Sequence, residues 1–381
     1  MEYKLEELFD LQMGKTPSRN NPDYWDSNDH KWISIGDLSK CGKYISETKE
    51  YLSDRAVIES GISLIPANTV IMSFKLSIGK TAITVEPMYS NEAIMSFRDL
   101  YKVDLLPDYV YYLLSSKDWD VGTNKAVMGK TLNKATLSQV KIKVHPISEQ
   151  TEIVKILDRV DSIIEAYKNE LQSLDDLIKA RFVEMFGDET NPFNFEKKKL
   201  RDTCTVVTGN TPSRTIPEYY GNYIEWIKTD NIISGVLYPT KALEHLSSAG
   251  AEVGRTVEKG AILMACIAGS VASIGRVCIT DRRVAFNQQI NAVIPREYDV
   301  LFLYVLLQLS KNYLVEEINM ALKGILSKSK LEDKEFIIPP LEQQKLFANF
   351  VEQIDKSKFA VQKALDKAQL LFDSLMQQYF G

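Results

Sequence analysis

Gly14-Lys15-Thr16-Pro17-Ser18-Arg19 returns later in the chain as Gly209-Asn210-Thr211-Pro212-Ser213-Arg214. Working outward, Pro22-Asp23-Tyr24-Trp25 is answered by Pro217-Glu218-Tyr219-Tyr220, and Trp32-Ile33 by Trp226-Ile227. Ile78-Gly79-Lys80 is answered by Ile274-Gly275-Arg276, and Asn91 by Asn287. Pro146-Ile147-Ser148-Glu149-Gln150 is answered by Pro340-Leu341-Glu342-Gln343-Gln344, and Phe186-Gly187 by Phe380-Gly381. So many ordered matches at a nearly constant offset mean one unit written twice. A period of about 190 residues is too long for a solenoid, so the chain is two homologous halves, expected to be related by a pseudo-two-fold axis.

Composition is consistent with this. A chain of 381 residues holds two to three domains. With 45% hydrophobic and 25% charged residues it has enough apolar side chain to fill cores, which excludes general disorder. No apolar run approaches the roughly 20 residues that span a bilayer. The opening MEYKLEELFD has neither a basic segment nor an apolar one, so a cytoplasmic location without membrane association is expected. Four cysteines without CxxC spacing argue against a disulfide framework or zinc, and three dispersed histidines against a His-based metal site or triad.

Each copy divides in two, giving segments 1–146, 147–187, 188–340 and 341–381. The first part of each is punctuated by Gly, Pro and Asn. It carries short β-rich stretches (70–74, 82–85, 261–266, 276–279) and one compact helix (108–116, 300–311), the pattern of a mixed α+β domain. The second part is helical. Ile153, Leu157, Val160, Ile164, Tyr167, Leu171, Leu174 and Ile178 follow 4-3-4-3 spacing, Arg181 interrupts, and Met185 resumes. In the second copy Phe347, Val351, Ile354, Val361, Leu365, Ala368, Phe372, Leu375 and Tyr379 repeat it, with Lys358 as the polar intruder. A sustained heptad seam predicts a coiled coil. Neither segment contains Pro or Gly after its entry, so each helix should run about 35 residues, roughly 50 Å. Two helices with one seam each are expected to pack on each other, antiparallel if a two-fold relates the halves. The alternative is that each seals its own domain.

The net charge of −5 disfavours a nucleic-acid partner when taken over the whole chain. By segment the net charges are −1, −4, 0 and 0, so the acidity sits in the first long helix. Two near-neutral domains can still carry one-sided basic faces.

Apparent catalytic motifs fail inspection. Gly-Lys-Thr occurs at 14–16, 79–81 and 129–131, but Phe9, Phe74 and Asn124 stand where a phosphate-binding loop needs its first Gly. Pro22-Asp23 with Asp29-His30-Lys31 resembles a metal-nuclease pattern, which the second copy breaks at Tyr223 and Glu225. Asn21-Pro22-Asp23-Tyr24 and Asn191-Pro192-Phe193-Asn194 lack the second Pro of an amino-methyltransferase motif, and no Gly-rich cofactor loop precedes either. No catalytic residue and no metal ligand is assigned.

What recurs suits binding. Gly14, Thr16, Ser18, Arg19 and Gly209, Thr211, Ser213, Arg214 combine hydroxyls, backbone amides and one guanidinium, which can grip a phosphate. The same residues also make an ordinary turn. Lys75 and Lys80 flank a Gly loop, as do Lys228 and Arg276; Lys130 and Lys134, then Lys328 and Lys330, follow another. All are candidate DNA contacts, or simply solvated side chains. Asn91 and Asn287-Gln288-Gln289 can read adenine edges or hold a strand end, and the strand-end reading is preferred.

These parts, in this order, resemble the specificity subunits of type I restriction–modification enzymes. The likeness rests on the Gly-x-Thr-Pro-Ser stretch opening each half and on Trp32-Ile33 before Asp37 and Trp226-Ile227 before Asp230. It rests also on the Pro-x-x-Glu-Gln entry into a long helix that closes on Phe-Gly. It covers essentially the whole chain; His145 replaces the first Pro of the pair found at 339–340.

The resemblance implies two target recognition domains, 1–146 and 188–340, each reading one half of a bipartite, asymmetric site in double-stranded DNA. The long helices form an antiparallel coiled coil that sets the spacer. A rod of about 50 Å suits readers one DNA turn apart, roughly 34–36 Å. The resemblance further implies docking of two modification subunits, which bind S-adenosylmethionine and methylate adenine. Restriction subunits that use ATP and Mg2+ to translocate and cleave join them. This chain performs no chemistry and binds no cofactor.

The repeat itself adds one inference: residues shared by the copies serve scaffold and phosphate contacts, and residues that differ read different bases. Lys228 against Ser34 and Gln288 against Glu92 are such differences. Three other readings stay open: an enzyme with an unrecognised site, a coiled-coil adaptor that binds only proteins, and a silent or orphan specificity subunit.

Overall fold

In the computed structural model the chain is described except at residues 76, 120–123, 127–128, 189, 317 and 319–323; at 124–126, 129–131 and 271 the backbone alone is described. It forms two compact units. The first comprises 1–168 with 363–381, and the second 169–362.

In the first unit a five-stranded sheet has the order Phe9–Met13, Ile94–Asp99, Val70–Ser73, Thr81–Thr84, Tyr44–Ile45. Val70–Ser73 is buried at every position, as a central strand covered on both faces must be. A second sheet sets His30–Ile33 between Glu50–Leu52, antiparallel, and Tyr89–Ser90, parallel. The second unit repeats both. Cys204–Thr208, Ile290–Pro295, Ile262–Ala265 and Val277–Ile279 form the larger sheet. Tyr220–Ile227 lies between antiparallel His245–Leu246 and parallel Val284–Phe286. The registers agree: Trp32 pairs with Tyr89, and Trp226 with Ala285. Thr256–Val257 pairs with Val284–Phe286. In the first unit its place is held by a single antiparallel bridge, Ile65 with Met88; among the described strands Tyr44–Ile45 has no counterpart in the second unit.

One ion pair survives the duplication with its polarity reversed. Lys31, on the strand His30–Ile33, pairs with Glu86 at 2.6 Å. Glu225, one residue before Trp226 as Lys31 is one before Trp32, pairs with Arg282.

The compact helix of each unit starts on a signal in the sequence. Pro107 opens Pro107–Ser115, where its missing N–H costs nothing. Asp299 caps Val300–Leu309, its Oδ1 accepting from the amides of Leu301 and Phe302.

The long helices span Ile147–Phe186 and Leu341–Phe380, 40 residues each. They exceed the expected 35 because each begins immediately after its entry Pro. Every seam residue named from the spacing is buried or half-buried. The seam departs from expectation after Ile178. Phe182 and Phe186 are buried there, Met185 is half-buried, and Arg181 turns to Glu184 at 2.7 Å. The spacing becomes 4-4, which turns the stripe toward the compact helix while it still touches Phe347 of the partner helix. Phe182 stacks on Phe302 with ring centroids 5.8 Å apart.

Helix segments within each unit run antiparallel. In the first unit Tyr109, on the compact helix, meets His145 and Phe380, while Tyr112, one turn on, meets Asp158 and Phe372. In the second, Phe186 faces Phe347 at 5.5 Å, and Asp175 binds Lys358 at 2.6 Å. The intruding Lys358 is thus paired across the seam. Each α+β domain is therefore packed between the start of the helix that follows it and the end of the other.

Candidate nucleic-acid interface

The two Thr-Pro-Ser-Arg stretches are built alike. Gly14 approaches the turn after Tyr89–Ser90 so closely that a Cβ would lie 2.2 Å from the Ser90 carbonyl oxygen; at Gly209 the same atom would lie 2.2 Å from the Asn287 carbonyl oxygen. Neither distance is tolerable, so glycine is required by packing, and the phosphate-grip reading is not needed to explain it. The amide of Lys15 donates to the Ser90 carbonyl, and that of Asn210 to Phe286. The Trp32 indole N–H donates to the Lys15 carbonyl at 3.1 Å; Trp226 donates to Asn210 at 3.3 Å.

The arginines are equivalent and are held. Arg19 makes a two-pronged ion pair with Glu50, its guanidinium 3.7 Å from the centre of the Trp25 ring. Arg214 pairs with Glu244 at 2.6 Å and lies 4.5 Å over Tyr220. Lys228 binds the other oxygen of Glu244, 5.1 Å from the Trp226 ring. Lys228, and then Arg214, hold the Glu244 carboxyl below its ordinary range. Sequence reading missed Glu50 and Glu244. They stand at the repeat offset, but single acidic matches are too common to be noticed.

The threonines are also equivalent. The Thr16 hydroxyl donates to Glu92 Oε2, and the Thr211 hydroxyl to Gln288 Oε1. The Thr16 bond, with the charges of Lys75 and Arg19, keeps the Glu92 carboxyl below its usual range. Thr16, Arg19 and Lys75 therefore gather around Glu92; in the second copy Thr211 meets Gln288, while Arg214 and Lys228 gather on Glu244. Ser18 is exposed and lends its carbonyl to the Trp25 indole; the Ser213 hydroxyl meets that of Thr215. Asn91 and Asn287 each accept from the amide two residues on, at 3.0 and 3.1 Å, the strand-end role.

Other candidates stand apart. Arg276 donates to the carbonyls of Ser273 and Thr229, bracing a loop. Lys80 is exposed. Lys134 and Lys328 are the exposed first residues of short helices capped by Asn133 and Ser327, and the Lys330 amide receives the Ser327 cap. Lys328 lies 3.6 Å from Glu332. The side chain of Lys130 lies outside the described residues. The Trp-Ile…Asp pattern needs one adjustment. Asp37 accepts from the Ser34 amide, and the residue doing this for Lys228 is Asn231, not Asp230.

The helix entries share a device that sequence reading named but did not explain. Gln150 is buried; it accepts from the Leu106 amide at 3.0 Å and donates to the Asp104 and His145 carbonyls. Gln344 does the same with the Asp299 amide at 2.9 Å and the Pro339 carbonyl at 2.8 Å. The final Gln of each motif thus ties the long helix to the loop before the compact helix.

Comparison with known proteins agrees with this architecture. The family model for the type I restriction modification DNA specificity domain matches twice, over residues 1–175 and 192–370. The MjaIX specificity subunit of Methanocaldococcus jannaschii is 26% identical over 98% of this chain and 90% of its own. The EcoR124I/EcoR124II specificity subunit of Escherichia coli is 28% identical over 39% of this chain and 38% of its own. The fold is shared with the type I S subunit from M. genitalium, at TM-score 0.59 and 14% identity, covering all of this chain and 96% of that one. A structure from a study of type I complex assembly matches at TM-score 0.58 and 15% identity, covering all of this chain and 97% of that one. Two copies of one domain, each with its long helix, place this chain in the type I restriction–modification DNA specificity family.

Proposed function

We propose that this chain is the sequence reader of a type I restriction–modification complex. Each recognition domain reads one half of a bipartite site in double-stranded DNA, and the paired long helices fix the spacer. One observation carries the reading: the same hydrogen-bonded framework is built twice, yet it presents different exposed side chains, Glu92 in one copy and Gln288 in the other. A reader of an asymmetric site needs that combination.

The long helices also dock two methyltransferase subunits. Away from its buried seam the first helix exposes Ile156, Ile163 and Leu177, at multiples of seven residues; the second exposes Phe359 and Leu370. Bare apolar stripes of this kind suit a protein partner. S-adenosylmethionine, and the ATP and Mg2+ used by restriction subunits, belong to those partners, and the complex works in the cytoplasm. No helix among the described residues is long and apolar enough to cross a membrane.

The test is long-read mapping of methylated adenine in cells with and without this chain, the methyltransferase being present. A bipartite motif that vanishes on deletion is expected. Without one, binding by the purified complex decides: phosphate contacts force affinity to fall with salt, whereas a protein-only adaptor shows no such DNA affinity.

A further inference from the structure

We infer that Glu92 and Gln288 are matched base-reading positions that present opposite hydrogen-bonding character to the two half-sites. The inference rests on the DNA-reading function proposed above and names a contact within it.

The two residues occupy one place in a duplicated frame. Each follows the Asn that closes the strand paired in parallel with the Trp-Ile strand. Each is exposed and is latched by the Thr of its Thr-Pro-Ser-Arg stretch. Around them the frame is kept: the close-packed glycine, the indole bond, and the Arg–Glu pair over an aromatic ring. The frame holds constant while the side chain at its exposed turn changes.

Chemistry says what each can contact. An ionised carboxylate only accepts, and phosphate repels it, so Glu92 suits a base edge and not the backbone. With Oε2 taken by Thr16, Oε1 is left for an exocyclic amino group, cytosine N4 or adenine N6. Arg19 and Lys75 beside it supply the cationic charge that lets an anion approach DNA. Gln288 has Oε1 bound to Thr211, which leaves the Nε2 amide hydrogens to donate to a purine N7 or a guanine O6. The threonine latch fixes which atoms remain free, so it orients the reader.

The experiment is selection from DNA randomised at both half-sites, using the full chain assembled with its methyltransferase subunits. Glu92→Gln should change the preferred base at one position of one half-site, with discrimination altered roughly 5- to 150-fold. Gln288→Glu should do so at one position of the other half-site only. Thr16→Val retains Glu92 but frees it, and should blur the position that Glu92→Gln changes; it carries the test if Glu92→Gln does not fold. Variants that keep the wild-type preference at every position, with affinity uniformly lowered or unchanged, would overturn the inference and leave Glu92 and Gln288 as scaffold. A wild-type complex that enriches no bipartite sequence would instead sink the DNA-reading function, and this contact with it.

Discussion

The Tyr109 ring packs on that of Phe380 with centroids 5.4 Å apart, joining the first recognition domain to the far end of the second long helix. Both rings are buried. In the second unit Phe302 meets Phe186 at 4.9 Å, the same relation made by the opposite pair of elements. Phe380→Ala should cost about 3 kcal/mol, as emptying a buried aromatic site does, and so should Phe186→Ala. Hydrogen exchange should place the first loss in the unit of 1–168 and the second in that of 169–362. Equal loss in both units for either variant would contradict the assignment.

Gln150 and Gln344 satisfy backbone groups that are buried or part-buried at the two helix entries. Replacement by Ala should cost about 1–3 kcal/mol each, because the Leu106 or Asp299 amide loses its partner. The sites share no partner, so the double variant should be additive in urea unfolding.

Gly14 and Gly209 have no room for a methyl group, since the obstacle is backbone and not a flexible side chain. Gly14→Ala must push the Ser90–Asn91 turn away. Destabilisation of about 1–3 kcal/mol is expected, together with faster exchange at the Lys15 amide. Gly36, whose Cβ would meet nothing closer than 3.4 Å, is the tolerant control.

His145 gives the first unit a pH dependence of predictable sign. Its Nδ1 lies 2.8 Å from the Tyr109 hydroxyl, and burial lowers its pKa from the ordinary 6.5; Lys143 adds to this, while Glu149 opposes it. The folded state then binds its proton less readily than the unfolded chain. The stability at stake is fully present above about pH 6.5 and is lost as the pH falls below that value toward the folded pKa. Melting of His145→Gln should vary less between pH 7 and pH 5 than that of the wild type. A parallel pair of curves would refute the assignment.

Period and motif make the architecture readable in the sequence itself. Heptad spacing located the seam because Ile153, Leu157 and Phe347 all obey the helical period, and the duplicated Gly-Thr-Pro-Ser-Arg located the frame. Three things lay beyond pattern. Phe182 and Phe186 left the heptad because they pack on Phe302 of the domain helix as well as on Phe347 of the other long helix, and a domain helix imposes no heptad of its own. Glu50 and Glu244 act only through folding that brings them to arginines about 30 residues earlier in the chain. The role of Asp37 passed to Asn231 because an amide oxygen accepts as well as a carboxylate does, and letter matching cannot see that.

The reversed ion pair bears on how such a chain folds. Two homologous halves on one polypeptide invite strand exchange, in which His30–Ile33 enters the second sheet or Tyr220–Ile227 the first. Each intruder would find a matching register. It would not find a matching charge: Lys31 would be set against Arg282, and Glu225 against Glu86 and Glu47. Both crossed arrangements put like charge on like, while both correct ones are paired. The inversion therefore disfavours the crossed pairings by charge alone.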